Sequence, residues 1–316
     1  MVMHPDQLAV SLPVVRQLVD EQFPAWRALR IAHVDREGTV NAIYRIGDRL
    51  AARFPLRAQD PGVVREWLQT EAAAARELSG RTRFATPEPV ALGEPGPGYP
   101  LPWSVQTWLP GVPATDEDPG ESYAFALDLA ALIQDLRAID TQGRSFSGTN
   151  RGGDLRAQDA WMEVCFDRST ELLDVPGLRR LWHAMRELPR AAPDVMTHGD
   201  LIPGNVLVRD DRLVGVIDVG GFGPADPALD LVAAWHLLDA APRQVLRNRL
   251  GAGDLDWDRG RAWAFAQAIG LVWYYADSNP TMSALGRRTL RRITTDDTSA
   301  RVGGAGRAVV AVIGEA

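Results

Sequence analysis

Residues 192–221, APDVMTHGDLIPGNVLVRDDRLVGVIDVGG, decide how the rest of the chain is read. The apolar triplet Val195–Thr197 predicts a short strand leading into a polar loop. The aliphatic runs VLV and LVGVI, set on either side of Asp210-Asp211, predict a two-strand hairpin with an acidic turn. Asp218 stands at the far end of the second strand. Three groups able to hold a metal or a proton therefore lie on this stretch: Asp200, Asn205 and Asp218. A carboxylate, a neutral amide and a second carboxylate suit a hard cation carrying phosphate. Magnesium takes few protein oxygens and fills its remaining positions with phosphate and water. Asp200 can instead accept the proton of an attacking hydroxyl. A solvated turn accounts for Asp210 and Asp211. It does not account for polar groups at apolar strand ends, nor for GPADPALDL (223–231) just beyond them.

Composition narrows the classes. The 316 residues suffice for one large or two modest domains, and 46% apolar with 24% charged residues is ordinary for a globular chain. No apolar run approaches the ~18–20 residues needed to span a bilayer. The start, MVMHPDQLAV, has neither a basic beginning nor a sustained apolar core, so a cytoplasmic protein is expected. The single cysteine, Cys165, rules out a disulfide framework and a multi-cysteine zinc site, and is assigned to packing. A net charge of −7 disfavours nucleic acid and weakly favours a cationic ligand. All 34 basic residues apart from histidine are arginine, and there is no lysine. That excludes a Walker A phosphate loop, which needs a lysine, and lysine Schiff-base or pyridoxal chemistry.

HGDLIPGNVLV (198–208) followed by VIDVGGFGPADPALDL (216–231) resembles the catalytic signature of the aminoglycoside phosphotransferase family. The resemblance extends over roughly residues 30–293. It implies an α+β, two-lobed, protein-kinase-like fold: a β-rich N-lobe over residues 1–109 and a mainly helical C-lobe over 110–316. It also implies ATP and Mg²⁺ as cofactors, with ATP between the lobes. Asp200 becomes the general base or hydroxyl-orienting group, and Asn205 and Asp218 become the Mg²⁺ ligands. His198 becomes a scaffold for the loop, and Asp226 and Asp230 fix that loop by hydrogen bonds. The chain departs from protein kinases in having HGD for HRD, Val219 after the metal aspartate, and no APE segment before Ala228. Those departures indicate a small-molecule acceptor.

Toward the N-terminus, Ser11-Leu12-Pro13 predicts the start of a helix reaching Phe23. NAIYRI and LAARF, joined by Gly47-Asp48, predict a hairpin. Glu37–Asn41 ahead of it holds the place of a nucleotide-covering loop. VVREWLQTEAAAARELSG (63–80) predicts a helix ending at Gly80. By resemblance, Arg53 on the second hairpin strand stands where the family carries its phosphate lysine, and Glu71, 18 residues on, is its helix partner. Arginine is a bulkier, always-charged fork that can hold carboxylate and phosphate alike. The alternative for this pair is a plain surface ion pair. Strands are expected at Val90–Leu92 and Trp103–Trp108, with Trp103 in the core. A hinge at 106–111 would offer backbone near Gln106, Trp108 and Leu109 to adenine.

Beyond Pro110-Gly111, apolar spacing predicts helices over 121–140, 157–173, 177–188, 229–238, 257–277 and 280–293. Trp161, Cys165, Trp182 and His183 are read as packing or surface, and residues 144–159 as a surface connection. Trp273, Tyr274 and Asp277 close the 257–277 helix. An acidic and aromatic group suits an amino-sugar ring, while an aromatic cluster on a helix is equally read as core. The Gly/Ala-rich tail after 293 is expected to be partly disordered.

Together these residues predict an ATP- and Mg²⁺-dependent kinase that phosphorylates a hydroxyl of a small, cationic molecule, an aminoglycoside or related antibiotic. No nucleic-acid or membrane partner is expected. The alternatives are a metabolic kinase of the same fold, for choline, homoserine or a sugar, and a nucleotide-binding protein without transferase activity.

Overall fold

The computed structural model describes residues 7–34, 40–148, 151–190 and 192–310. Glu37, Gly38 and Thr39 of the expected nucleotide-covering loop lie outside these residues, as does the end of the tail from 311. The chain divides into two compact units: Met1–Glu117 with Ala131–Arg144 and Val195–Pro224, and Asp118–Ala130 with Ser145–Asp194 and Ala225–Ala316.

The first unit opens with helix α1 (Leu12–Gln22) and strands β1 (Ile31–His33), β2 (Asn41–Ile46) and β3 (Leu50–Pro55). Helix α2 (Pro61–Leu78) and strands β4 (Pro89–Gly93) and β5 (Trp103–Thr107) follow. The five strands form an antiparallel sheet in the order β1-β2-β3-β5-β4. The β2–β3 register runs from Asn41 opposite Pro55 to Ile46 opposite Leu50, so the expected hairpin is present. Its turn needs the positive φ of Gly47, 58°, which glycine adopts without steric cost. Helix α2 begins two residues before the expected start. Asp60 caps it, accepting the Gly62 and Val63 N–H groups at 2.9 and 3.1 Å, and Pro61 takes the first turn where no donor is missed.

Val64 and Leu68 of α2 join Val15, Leu18, Phe54, Tyr99 and Trp103 in one buried cluster. Phe54 stacks on Trp103 with ring centres 4.7 Å apart and meets Tyr99 edge-on at 5.2 Å. Trp103 is thus core, as its apolar setting indicated.

The unit continues with β6 (Val112–Pro113), β7 (Val195–Thr197), β8 (Val206–Arg209) and β9 (Arg212–Val216). The decisive hairpin is β8–β9, with Asp210 and Asp211 both left-handed at φ 53° and 54° in its turn. Short polar residues tolerate that region, and a two-residue turn of this hand matches strand twist. β6 adds to β8, and β7 pairs with β10 (Gly223–Ala225). Ala85, in the connection after α2, bridges to Gly215. There an added Cβ would stand 2.8 Å from the Ala85 carbonyl oxygen.

The second unit is helical. α3 (Tyr123–Arg137) begins in it, followed by α4 (Asp159–Arg168), α5 (Val175–Met185), α6 (Val232–Leu237), α7 (Ala240–Leu250), α8 (Asp254–Tyr274) and α9 (Pro280–Val310). α8 is buried on nearly every side, through Trp257, Arg259, Trp263, Phe265, Ile269 and Val272 among others. α9 lies so close to it that a Cβ on Gly286 would sit 2.6 Å from the Ala268 carbonyl oxygen.

Several of the helices differ from expectation. α7 is an additional helix with Asp239 at its N-cap position, and its Pro242 falls in the first turn, where proline is tolerated. The first helix after the connection ends at Arg168 rather than 173 and is preceded by a 3₁₀ turn, Leu155–Gln158. α8 ends at Tyr274, which leaves Asp277 outside it. α9 continues to Val310 in place of a stop at 293, since no proline interrupts it. Among the described residues no helix is long and apolar enough to cross a membrane.

Candidate active site

Five of the expected residues come together within the first unit, four of them on three local foundations and Asp200 on the loop after β7. β3 presents Arg53, paired across the sheet with Ile43 and Ser104. α2 presents Glu71 one turn beyond the buried Leu68. The β8–β9 hairpin presents Asn205 just before its first strand and Asp218 just after its second.

The hairpin closes through the Ile217 N–H, which donates to the Asn205 carbonyl at 2.9 Å. This bond sets residue 205 beside residues 217–218. The loop that carries Asp200 is held from within. His198 is fully buried, and its Nε2–H donates to the Ile217 carbonyl at 3.1 Å while Nδ1 accepts the Asp200 N–H at 3.3 Å. One ring thereby ties the Asp200 loop to the residue preceding Asp218, the scaffold part expected of it. Asn205 donates from Nδ2 to both the carbonyl oxygen and Oδ2 of Asp200, at 3.0 and 2.8 Å. Its amide nitrogen is engaged on Asp200, and its Oδ1 is the atom left for a cation.

Arg53 spans the remaining gap. Nη1 donates to Glu71 Oε2 at 2.9 Å and Nη2 to Asp218 Oδ1 at 3.0 Å. The Arg53 and Glu71 side chains are only 11% and 12% exposed, whereas Asp218 is 46% exposed. Burial pushes the Glu71 carboxyl above its ordinary range, Arg53 pulls it down, and the neighbouring Asp218 charge raises it again. Asp218 itself is left-handed, at φ 59° and ψ 50°, a conformation aspartate adopts more readily than most residues. The glycines after it are what allow α2 so near: an added Cβ on Gly220 would lie 2.6 Å from Glu71 Cγ. Sequence reasoning passes over Gly220, although the VGG run after Asp218 carries the signal.

The remaining expected positions divide. Gln106 lines a cavity of about 400 Å³ with Arg53, Glu71, Val105, Val219 and Gly220. Trp108 and Leu109 do not line it. The Trp108 N–H donates to the Arg49 carbonyl at 2.7 Å, and the Arg45 guanidinium lies over its ring at 5.0 Å. In the second unit, Trp273 faces α4: its ring is 5.9 Å from Trp161 and 5.9 Å from the Arg168 guanidinium. Tyr274 meets Trp273 edge-on at 5.6 Å, and Asp277 lies beyond the helix end. Buried Cys165 packs in α4, its thiol pushed up to about 11 by burial.

Asp226 corrects one expectation. Rather than fixing the Asp200 loop, its buried carboxylate takes Arg259 Nε at 3.0 Å and Trp263 Nε1 at 2.9 Å, and caps the turn at the Ala228 N–H at 3.0 Å. Asp226 thus anchors α8 inside the second unit.

Among the described residues no three His, Cys, Asp or Glu groups cluster as a metal cage. The donor set still fits Mg²⁺. An amide oxygen and a half-exposed carboxylate, with room left for phosphate and water, match an ion that demands few protein ligands.

The sequence profile of the phosphotransferase enzyme family matches residues 32–263. An aminoglycoside 3'-phosphotransferase from Escherichia coli is 44% identical over 140 residues, which cover 42% of this chain and 50% of that protein. One from Streptomyces fradiae is 33% identical over 146 residues, 43% of this chain and 53% of that protein. The chain spans about half the length of the curated relatives it matches. Among solved structures, an aminoglycoside 2'-phosphotransferase-IIIa in complex with GDP superposes with a TM-score of 0.65 at 17% identity, over 89% of this chain and 98% of that one. A macrolide 2'-phosphotransferase from Brachybacterium faecium superposes at 0.60 and 20% identity, over 88% and 98%. At these identities the likeness concerns the fold, which is α+β and kinase-like.

Proposed function

The chain belongs to the phosphotransferase enzyme family, and from that premise we propose that it transfers the γ-phosphate of ATP, with Mg²⁺, to a hydroxyl of a small cationic antibiotic of the aminoglycoside class. One observation carries this reading. Arg53, Glu71 and Asp218 form a single hydrogen-bonded chain in the unit where Asn205 grips Asp200. Asp200 orients the acceptor hydroxyl and takes its proton as attack proceeds. Asn205 Oδ1 and Asp218 would hold the cation, which when bound would neutralise charge on the phosphates. Arg53, steadied by Glu71, holds the α- and β-phosphates in place of the lysine this chain lacks.

Gln106, Trp108 and Leu109 are proposed for the adenine side, with the lobe division at 109/110. The acceptor pocket is proposed around Trp273, Tyr274 and Asp277, whose ring faces and carboxylate suit an amino sugar. The E. coli and S. fradiae relatives support an aminoglycoside acceptor, and a cytoplasmic location is proposed with it.

A phosphotransfer screen tests the proposal. Purified protein is incubated with Mg²⁺ and either ATP or GTP against aminoglycosides, macrolides, choline, homoserine and simple sugars, with products read by mass spectrometry. One phosphate added to an aminoglycoside is the expected result. Transfer confined to choline, homoserine or a sugar would replace the antibiotic reading with a metabolic one.

A further inference from the structure

On the reading above the Asp218 carboxylate serves a cation, yet one of its two oxygens, Oδ1, accepts from a side chain. Among the described residues its hydrogen-bond partner is Arg53, through Nη2 at 3.0 Å. The other Nη of the same guanidinium is anchored on Glu71 at 2.9 Å, and both members of that anchor are largely buried. An ammonium is a single point of charge, whereas a guanidinium is a rigid fork whose two ends can satisfy two carboxylates at once. Arginine in this position is therefore long enough and branched enough to reach past Glu71 to the metal aspartate. The Asp218 backbone is left-handed, between β9 and the Gly220 turn packed on Glu71.

We infer that Arg53 gates the metal position: without nucleotide it holds Oδ1 of the carboxylate a divalent cation needs, and a nucleotide polyphosphate must draw it off before the cation binds tightly. The inference rests on the reading of Asn205 and Asp218 as metal ligands. Phosphate oxygens compete for the same N–H groups with charge-assisted hydrogen bonds of equal kind. As Arg53 Nη2 turns to a phosphate oxygen, it releases Asp218 Oδ1. Cation and nucleotide therefore raise each other's affinity by the same factor, as linkage requires. The free protein holds little metal, and the loaded site forms as one step.

Mn²⁺ binding followed by electron paramagnetic resonance tests this without any turnover. Wild type, Arg53→Ala, Arg53→Lys and Arg76→Ala are titrated with Mn²⁺, each with and without a non-hydrolysable ATP analogue. Arg76 lines the same cavity and is exposed on α2, so its removal changes local charge without touching Asp218. Without nucleotide, Arg53→Ala is expected to bind Mn²⁺ roughly ten-fold or more tightly than wild type, with Arg53→Lys in between. Arg76→Ala is expected to match wild type. Equal Mn²⁺ affinity for wild type and folded Arg53→Ala would overturn the gate, as would an equal increase in Arg76→Ala, which would mark a bulk charge effect. Should Arg53→Ala fail to fold, a wild-type affinity for Arg53→Lys would overturn it just as well. Asp218→Asn with nucleotide forms a separate arm. If it keeps wild-type Mn²⁺ affinity, the metal assignment itself falls, and the gate with it.

Discussion

Arginine at position 53 uses both ends of its guanidinium. It pairs with the α2 glutamate and with the hairpin aspartate, at 2.9 and 3.0 Å. The arrangement depends on a residue that carries no chemistry. Gly220 leaves the space in which Glu71 sits, and an alanine there would place Cβ 2.6 Å from Glu71 Cγ. Gly220→Ala is expected to keep the fold, push Glu71 off Arg53 and raise the KM for nucleotide several-fold. Nucleotide kinetics beside a thermal melt check both halves. Glu71 also carries a signed pH dependence. Its folded-state carboxyl is raised, chiefly by burial, so the folded protein favours the neutral form. The stability this lends is fully present below the ordinary glutamate range and is lost as pH rises through the raised folded value. Glu71→Gln removes that loss. Its melting temperature relative to wild type is expected to improve as pH climbs through that window, and a pH series of melts would show it.

The elements around the site are readable in proportion to how local their causes are. The β2–β3 and β8–β9 hairpins follow from apolar runs broken by Gly47 or Asp210-Asp211, and the structure has both. α2 follows from its apolar stripe, and its true start from Asp60-Pro61. Asp60→Ala is expected to cost about 1 kcal/mol by chemical denaturation, the usual worth of an N-cap. α7 escapes a reading by pattern because Pro242 and a run of polar residues look like a loop, and only Asp239 ahead of them marks a helix start. The end of α9 escapes it too, because the polar run TTDDTS after Ile293 suggests a stop that the backbone does not make. The true partner of Asp226 is hidden for a related reason: its ion pair with Arg259 spans 33 residues and depends on how α8 packs. Breaking that pair leaves a buried guanidinium uncompensated, so Asp226→Ala is expected to cost roughly 3–5 kcal/mol in denaturant unfolding.

For the whole molecule, family and fold are legible in the stretch around HGD, while the geometry of the site is not. HGD, the asparagine that follows it and the aspartate ending β9 are one continuous stretch, so sequence alone brings them close. The bond from Arg53 to Asp218 crosses 165 residues and exists only because sheet, α2 and hairpin pack in one unit. No spacing rule encodes it. The absence of lysine is a property of the entire chain, and it forces the phosphate-binding duty onto an arginine or removes it altogether. On the reading proposed above, this lysine-free site is a working phosphotransfer centre with Asp200 at its heart. The deciding experiment is the rate of γ-phosphate transfer to an aminoglycoside by wild type and by Asp200→Asn, with nucleotide affinity measured on the same two proteins. Transfer by wild type is expected, with a loss of about 10²-fold or more in the variant and nucleotide affinity unchanged. Transfer at the wild-type rate by Asp200→Asn would remove Asp200 from the reaction and the proposed chemistry with it.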